Sequence, residues 1–311
     1  PDTQVPDTQV PDPREPGSLL PNPPLPGEFV TATAKGWRWL LKQQVREPEQ
    51  FGCFFYEGYG TYEHRFYTHA QCTIALCELY AMSGNEEYRE PARRAVEYCL
   101  KNQSVSGGWR YHPNAADPAS DVSVTGWVVL ALQSALAAGL EVPPENLRRI
   151  DAFLDSVARE GGSRYRYSMA PGERVTTCMT AEALLCRELL GWEHEDSRLR
   201  AGLDWLIQEE NLVRFDEARK RDVYYWYYAT QALHHYGGEP WAIWNERMRT
   251  ELPKHQVAHG KEEGSWSPKQ PVRDLWGEHY GRLYTTCLSI LMLEVYYRHL
   301  PVYAPQHETT R

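Results

Sequence analysis

Several things this chain lacks bound what it can be. No run of lysine and arginine stands out, and 42 acidic against 33 basic residues leave a formal charge of −9, which argues against a nucleic-acid partner. No apolar stretch reaches the roughly 18 to 20 residues that span a bilayer. The greasiest segment, residues 122–140, is broken by Ser123, Thr125, Gln133 and Ser134. Cysteines spaced for a metal or redox centre are also missing: Cys53, Cys72, Cys77, Cys99, Cys178, Cys186 and Cys287 form no C-x-x-C pair. Most fall at apolar positions of helical patterns, the places of buried reduced thiols. No segment alternates apolar and polar residues as an exposed strand does, so the chain reads as all-α.

Hydrophobic residues make up 42% of the 311, enough for one substantial core with a tail. Residues 1–27 hold nine prolines and the tandem copy PDTQV-PDTQV, with almost nothing apolar to bury. A disordered Pro-rich tail over 1–30 is expected, then one domain over 31–303 and a flexible end over 304–311. Reduced thiols suit a bacterial cytoplasm. Because the chain starts at Pro1 rather than Met, loss of an upstream signal or anchor would instead place it in the periplasm or tether it to a membrane.

After the tail the sequence repeats. An amphipathic helical stretch, a Gly- or aromatic-rich connection and a more uniformly apolar helical stretch recur five times, closing at Gly84, Gly139, Gly191 and Gly237, separations of 55, 52 and 46 residues. Such a period is the signature of stacked helical hairpins. The first helices carry one apolar stripe, as in Leu147, Ile150, Phe153, Leu154 and Val157, and belong at a solvent-facing surface. The second helices, such as residues 125–138 and 283–297, are apolar on nearly every side and need neighbours all round. An outer ring around an inner ring, an α/α-toroid of about five hairpins, satisfies both patterns. An open solenoid would end in polar capping repeats, which the apolar fifth unit does not provide.

The second connection reads Gln103-Ser104-Val105-Ser106-Gly107-Gly108-Trp109, and the fifth is a stretched version, Gln256 followed by Gly264-Ser265-Trp266. Glutamine can bond turn carbonyls, glycine allows the bend, and tryptophan packs over a helix end. These segments resemble the QW repeat of the prenyltransferase and squalene-cyclase superfamily, with one toroid where squalene-hopene cyclases have two. The resemblance implies an aromatic-lined central cavity for an isoprenoid or other apolar ligand. Cyclases of that group protonate their substrate with a DxDD acid. The matching stretch here, Asp121-Val122-Ser123-Val124-Thr125, keeps the first acid and has Ser123 and Val124 at the third and fourth positions. A serine hydroxyl is far too weak an acid for that step, so catalysis, if any, falls to Asp121. The zinc site of the protein prenyltransferases is not expected either: no D-x-C occurs, and Thr285 stands where the resemblance places a histidine. Neither metal nor cofactor is expected.

In a toroid the starts of the inner helices gather at one mouth. Aligning the repeats there gives His69, Asp121, Ser123, Thr177, Asp222, Tyr224, Tyr225, His279 and Tyr284 as candidate lining residues. Three functions stay open. The first is a terpene-cyclase-like protein, an isomerase or lyase if catalytic, holding an apolar small molecule. The second is a non-catalytic scaffold for a protein partner. The third is an (α/α)-barrel carbohydrate-active enzyme using Asp121, Glu182 and Asp222, because sugar clefts are also aromatic and acidic.

Overall fold

The computed structural model describes residues 27–54 and 65–298. The proposed tail and the C-terminal end lie wholly or largely outside them. The chain divides after Gln43. The described part of the first unit is helix α1 (Gly27–Gln43), an amphipathic helix whose Trp39 is exposed.

The second unit begins at Gln44. It contains α2 (Arg65–Ser83), α3 (Glu86–Lys101), α4 (Val122–Ala137), α5 (Pro144–Val157), strands β1 (Ala158–Arg159) and β2 (Arg164–Tyr165), α6 (Thr177–Leu189), α7 (Ser197–Leu206), α8 (Val223–Tyr236), α9 (Gly238–Lys254), α10 (Gly277–Leu293) and α11 (Val295–Arg298). The even-numbered helices from α2 to α10 pack side by side in chain order, α2 on α4, α4 on α6, α6 on α8 and α8 on α10. They form the inner layer of an α/α-toroid. Of the outer helices, α3 packs on α2 and α4, α7 on α6 and α8, and α9 on α8.

Composition explains the layering. Thirteen of the 16 residues of α4 are buried, from Val122 to Ala135, whereas α5 buries only Ile150, Phe153, Leu154 and Val157. The starts of α4, α6 and α8 carry side-chain caps: Asp121 Oδ1 accepts from Val124 N at 2.8 Å, Thr176 Oγ1 from Met179 N at 3.1 Å, and Asp222 Oδ1 from Tyr224 N and Tyr225 N, both at 3.1 Å. A cap of this kind satisfies amide groups that the first turn leaves unpaired. The four closing glycines all adopt positive φ, between 60° and 98°, which ends the helices there. Among the described residues the named strands are the short antiparallel pair β1–β2, in register Ala158 with Tyr165 and Arg159 with Arg164. It folds the third connection back on itself.

The glutamine-turn-aromatic connections share one construction. Gln44 Nε2 donates to Gly52 O (3.0 Å) and to Pro91 O of the next outer helix (2.8 Å). Gln103 Nε2 does the same to Gly107 O (2.7 Å) and Asn146 O (3.0 Å), and Gln256 Nε2 bonds Gly264 O (2.8 Å). Two indoles then donate back to the preceding outer helix, Trp109 to Cys99 O at 2.9 Å and Trp266 to Leu252 O at 2.8 Å. The backbone N–H of the aromatic residue meets a side chain one turn into the inner helix: Trp109 with Thr125 Oγ1, Tyr165 with Thr180 Oγ1, Trp266 with Thr286 Oγ1, and Phe54 with His69 Nδ1, at 3.0 to 3.1 Å. Each connection is thereby pinned across the N-terminal end of its inner helix. Gln103 is buried and holds two carbonyls, so Gln103→Leu should destabilise the fold by about 2 to 4 kcal/mol. Gln256 makes its bond at the surface, and Gln256→Leu should cost less than about 1 kcal/mol in the same denaturant titration.

Candidate functional site

The pinned connections bring three chain segments together at the mouth of the inner layer. Asp121 forms isolated backbone bridges with both Trp109 and Ser168, and Val122 N donates to Tyr167 O at 2.9 Å. The aromatic tips of the second and third connections, Tyr111 and Tyr167, therefore meet and share a hydrogen bond through their hydroxyls. Tyr67, in the first turn of α2, stacks on Tyr111 with centroids 6.0 Å apart. Its hydroxyl shares a 2.5 Å hydrogen bond with Ser123 Oγ, and Ser123 Oγ donates to Asp121 Oδ1 at 2.9 Å.

Asp121 has no exposed surface. Burial pushes its carboxyl up to about 6, against the opposing pull of the Val124 amide and the Ser123 and Tyr167 hydroxyls. Its Oδ2 is buried without a hydrogen-bond partner. On α6, Glu182 is also fully buried. Desolvation holds its carboxyl well above the usual range, and the charge of Asp121 adds to the rise, while Tyr228 and Tyr224 beside it counter it. Glu182 sits against Gly126 of α4, where any Cβ would lie 2.2 Å from its Oε1; the missing side chain makes room for the carboxyl.

From α8, Tyr224 reaches over Glu182 to α4. Its hydroxyl accepts from Trp127 Nε1 at 2.9 Å and donates to Ser123 O at 3.2 Å. Trp127 lies flat on Tyr227, centroids 5.4 Å apart at 12°, and edge-on to Tyr228. Between α4 and α8 the interior is thus filled with rings. Around this plug the mouth presents the half-buried Tyr67, Tyr111 and Tyr167, with the Asp121 and Glu182 carboxyls buried behind them.

The residues expected at the mouth divide into three groups. Asp121, Ser123 and Tyr224 come together as described. Asp222 and Tyr284 belong to a neighbouring cluster with Asp274: burial pushes Asp222 up to about 7, with Asp274 adding to the rise, and Asp274 Oδ2 accepts from Val223 N at 3.0 Å. The charges of Asp222 and Asp274 both act on Tyr284. The remaining candidates lie elsewhere. His69 is buried in the wall, its Nδ1 accepting from Phe54 N and its Nε2 3.0 Å from Ala95 O. It is the counterpart of Thr125 and Thr180, one turn past the helix start. Tyr225 turns outward, its hydroxyl donating to Leu206 O of α7. Thr177 opens α6 half-buried, and His279 is exposed beside Tyr280. Sequence reasoning passed over Tyr67, Tyr111, Trp127 and the meeting of Tyr111 with Tyr167. The parallel Trp109-Arg110-Tyr111 and Tyr165-Arg166-Tyr167 triplets carried the signal for that meeting.

Among the described residues no group of three His, Cys, Asp or Glu side chains is placed to hold a metal ion, and no described helix is long and apolar enough to cross a membrane.

A twin-layered ring with its polar groups at the helix starts is the architecture of the α/α-toroid enzymes, and comparison with known proteins places the chain beside several of them. A family model described as pectic acid lyase matches residues 68–125, from α2 into the first turn of α4. No curated protein matches the sequence. An α-mannanase (GH76) of Bacteroides thetaiotaomicron is similar in structure at 11% identity, covering 88% of this chain and 81% of that one, with a TM-score of 0.58. A type II terpene cyclase of Scytonema, in complex with geranylgeranyl dihydroxybenzoate, is similar at 14% identity over 86% and 73% of the two chains, TM-score 0.55. A cellobiose 2-epimerase of Bacillus thermoamylovorans shares 13% identity over 77% and 78%, TM-score 0.53. The likeness is one of fold, common to toroids of different chemistries.

Proposed function

We propose that this protein is a carbohydrate-active enzyme that binds a polyhydroxylated ligand at the toroid mouth and uses Asp121 for proton transfer. The observation that carries this reading is the character of the mouth: Tyr67, Tyr111, Ser123 and Tyr167 surround a buried carboxyl near 6, while rings fill the interior between α4 and α8. A glycan can exchange hydrogen bonds with such groups, and an isoprenoid chain cannot. A carboxyl that titrates near neutrality is suited to acid–base work. Similarity to mannan- and cellobiose-acting toroids agrees with the reading.

The isoprenoid reading keeps one specific support, the position of Asp121-Val122-Ser123-Val124-Thr125 at an inner-helix start in a fold shared with a type II terpene cyclase. One experiment separates the two. The purified protein is incubated with α-mannan, polygalacturonate and β-linked glucans, with release of reducing ends and unsaturated products followed, and a second sample is extracted for bound lipid and offered squalene. Turnover of a glycan that falls by about 100-fold or more in Asp121→Asn supports the carbohydrate reading. Conversion of squalene with no glycan turned over would replace it by the isoprenoid one.

A further inference from the structure

We propose that Tyr67 is the catalytic residue that meets the ligand, and that Ser123 passes protons between it and Asp121. The inference rests on the carbohydrate reading and names the group that acts there. Asp121 is 0% exposed and Ser123 5%, and Asp121 is further enclosed by its backbone bridges to Trp109 and Ser168. Neither touches anything that arrives from solvent. Tyr67 is half-buried at the start of α2, and its hydroxyl is 2.5 Å from Ser123 Oγ.

The direction of the chain follows from counting hydrogens. Ser123 has one hydroxyl proton, and it is donated to Asp121 Oδ1, so Tyr67 must donate to Ser123. Three oxygens from two neighbouring inner helices thus form a single file in which every donor points inward, toward the carboxylate. Stacking on Tyr111, itself tied to Tyr167, fixes the ring of Tyr67.

The step this permits is balanced within the chain. A ligand hydroxyl or a water held against Tyr67 loses its proton to Tyr67 Oη, and the electron pair of the broken O–H bond stays on that oxygen, which becomes the nucleophile. The original proton of Tyr67 moves to Ser123 Oγ, and that of Ser123 to Asp121 Oδ1. Tyr67 and Ser123 end as they began, and the Asp121 carboxylate becomes the neutral acid. The reverse passage returns the proton to the leaving oxygen. Burial and the carboxyls of Asp121 and Glu182 disfavour a phenolate at Tyr67, which agrees with a group that conducts a proton rather than storing a charge.

The test has an arm that needs no substrate. In protein carrying ring-carbon-labelled tyrosine, the signal lost in Tyr67→Phe is followed by NMR across the titration of Asp121. It should shift in step with that titration, stay flat in Asp121→Asn, and lose most of its shift in Ser123→Ala. A Tyr67 signal that does not respond to pH, or responds equally in Ser123→Ala, overturns the relay. In the second arm, on whichever of the polysaccharides above the wild type cleaves, Tyr67→Phe should lower kcat by about 100-fold with KM little changed. Retention of more than about half the rate overturns the assignment. If the wild type cleaves none of them, the carbohydrate reading fails, and the NMR arm still decides whether the proton path exists.

Discussion

A single methyl group added at Gly107 is expected to lower the melting temperature by about 5 to 20 °C. Gly107 has φ of 99°, and a Cβ there would stand 2.0 Å from Arg149 O and 2.8 Å from Arg149 C. Those atoms belong to the backbone of α5, the next outer helix, which cannot rotate away as a side chain would. The left-handed backbone alone costs an alanine about 1 to 2 kcal/mol, and forcing two packed elements apart costs about 1 to 3 kcal/mol more. Together they come to about 2 to 5 kcal/mol, a large share of the stability of an ordinary domain, about 5 to 15 kcal/mol. Gly84 is the control. It also has positive φ, 60°, but nothing lies within 4 Å of its Cβ position, so Gly84→Ala should lose only about 1 kcal/mol. Circular-dichroism melts of the two variants side by side would decide it. Equal, small losses would mean that the second connection does not press on α5 as closely as described.

The same glycine illustrates what could be read from the amino acids alone. Closing glycines at a regular spacing, stripes on the outer helices and apolar inner helices are local features, fixed by the period of the α-helix, and they carried the layered architecture and the placing of Asp121 at an inner-helix start. The Gln103, Gly107 and Trp109 connection was legible for the same reason, since all three act within a few residues of one another. The site was harder because it is assembled by side-chain direction across helices. In the run from Tyr224 to Tyr228, positions 224, 227 and 228 turn toward α4 and meet Trp127, while Tyr225 and Trp226 turn outward to Trp244 and Phe215. Composition assigns all five the same propensity; only the neighbouring helices choose between them. His69 was set one helical turn out of register, because the first unit uses a histidine where the second and third use Thr125 and Thr180. Tyr67 escaped notice because nothing local marks a tyrosine whose partner comes 56 residues later, whereas Tyr111 is marked only by the triplet it shares with Tyr167.

Melting temperature should fall as pH rises from about 4 to about 7, against the usual trend, because three carboxyls of this fold hold their protons more tightly than the unfolded chain does. Asp222 has its carboxyl pushed from the ordinary aspartate range up to about 7, by burial first and by Asp274 second. The native state holds that proton more tightly than the unfolded chain does. Its contribution is therefore fully present below about pH 4 and is lost by about pH 7, a window of about three units worth about 4 kcal/mol. Burial raises Asp121 to about 6 and Glu188 to about 7, with losses of the same sign over nearly the same window. His69 works the other way: burial lowers it to about 4, so stability is gained as pH rises from about 4 to about 6.5. His69 offsets about one of the three carboxyls, and His234, also lowered by burial, is opposed by His235, which its bond to Glu188 raises. The exposed, arginine-bonded Glu90 and Asp216 are lowered to about 2 and titrate below the window. A net loss of several kcal/mol remains, on the order of 10 °C in melting temperature for a domain of this size. Asp222→Asn isolates one component, since its side-chain oxygen can still cap Tyr224 N and Tyr225 N. The variant should match the wild type near pH 4 and exceed it by about 3 to 4 kcal/mol above pH 7. A wild-type melting temperature that is flat or climbs through this range, or an Asp222→Asn protein weaker at both ends, would mean that Asp222 reaches water and titrates as an ordinary carboxylate.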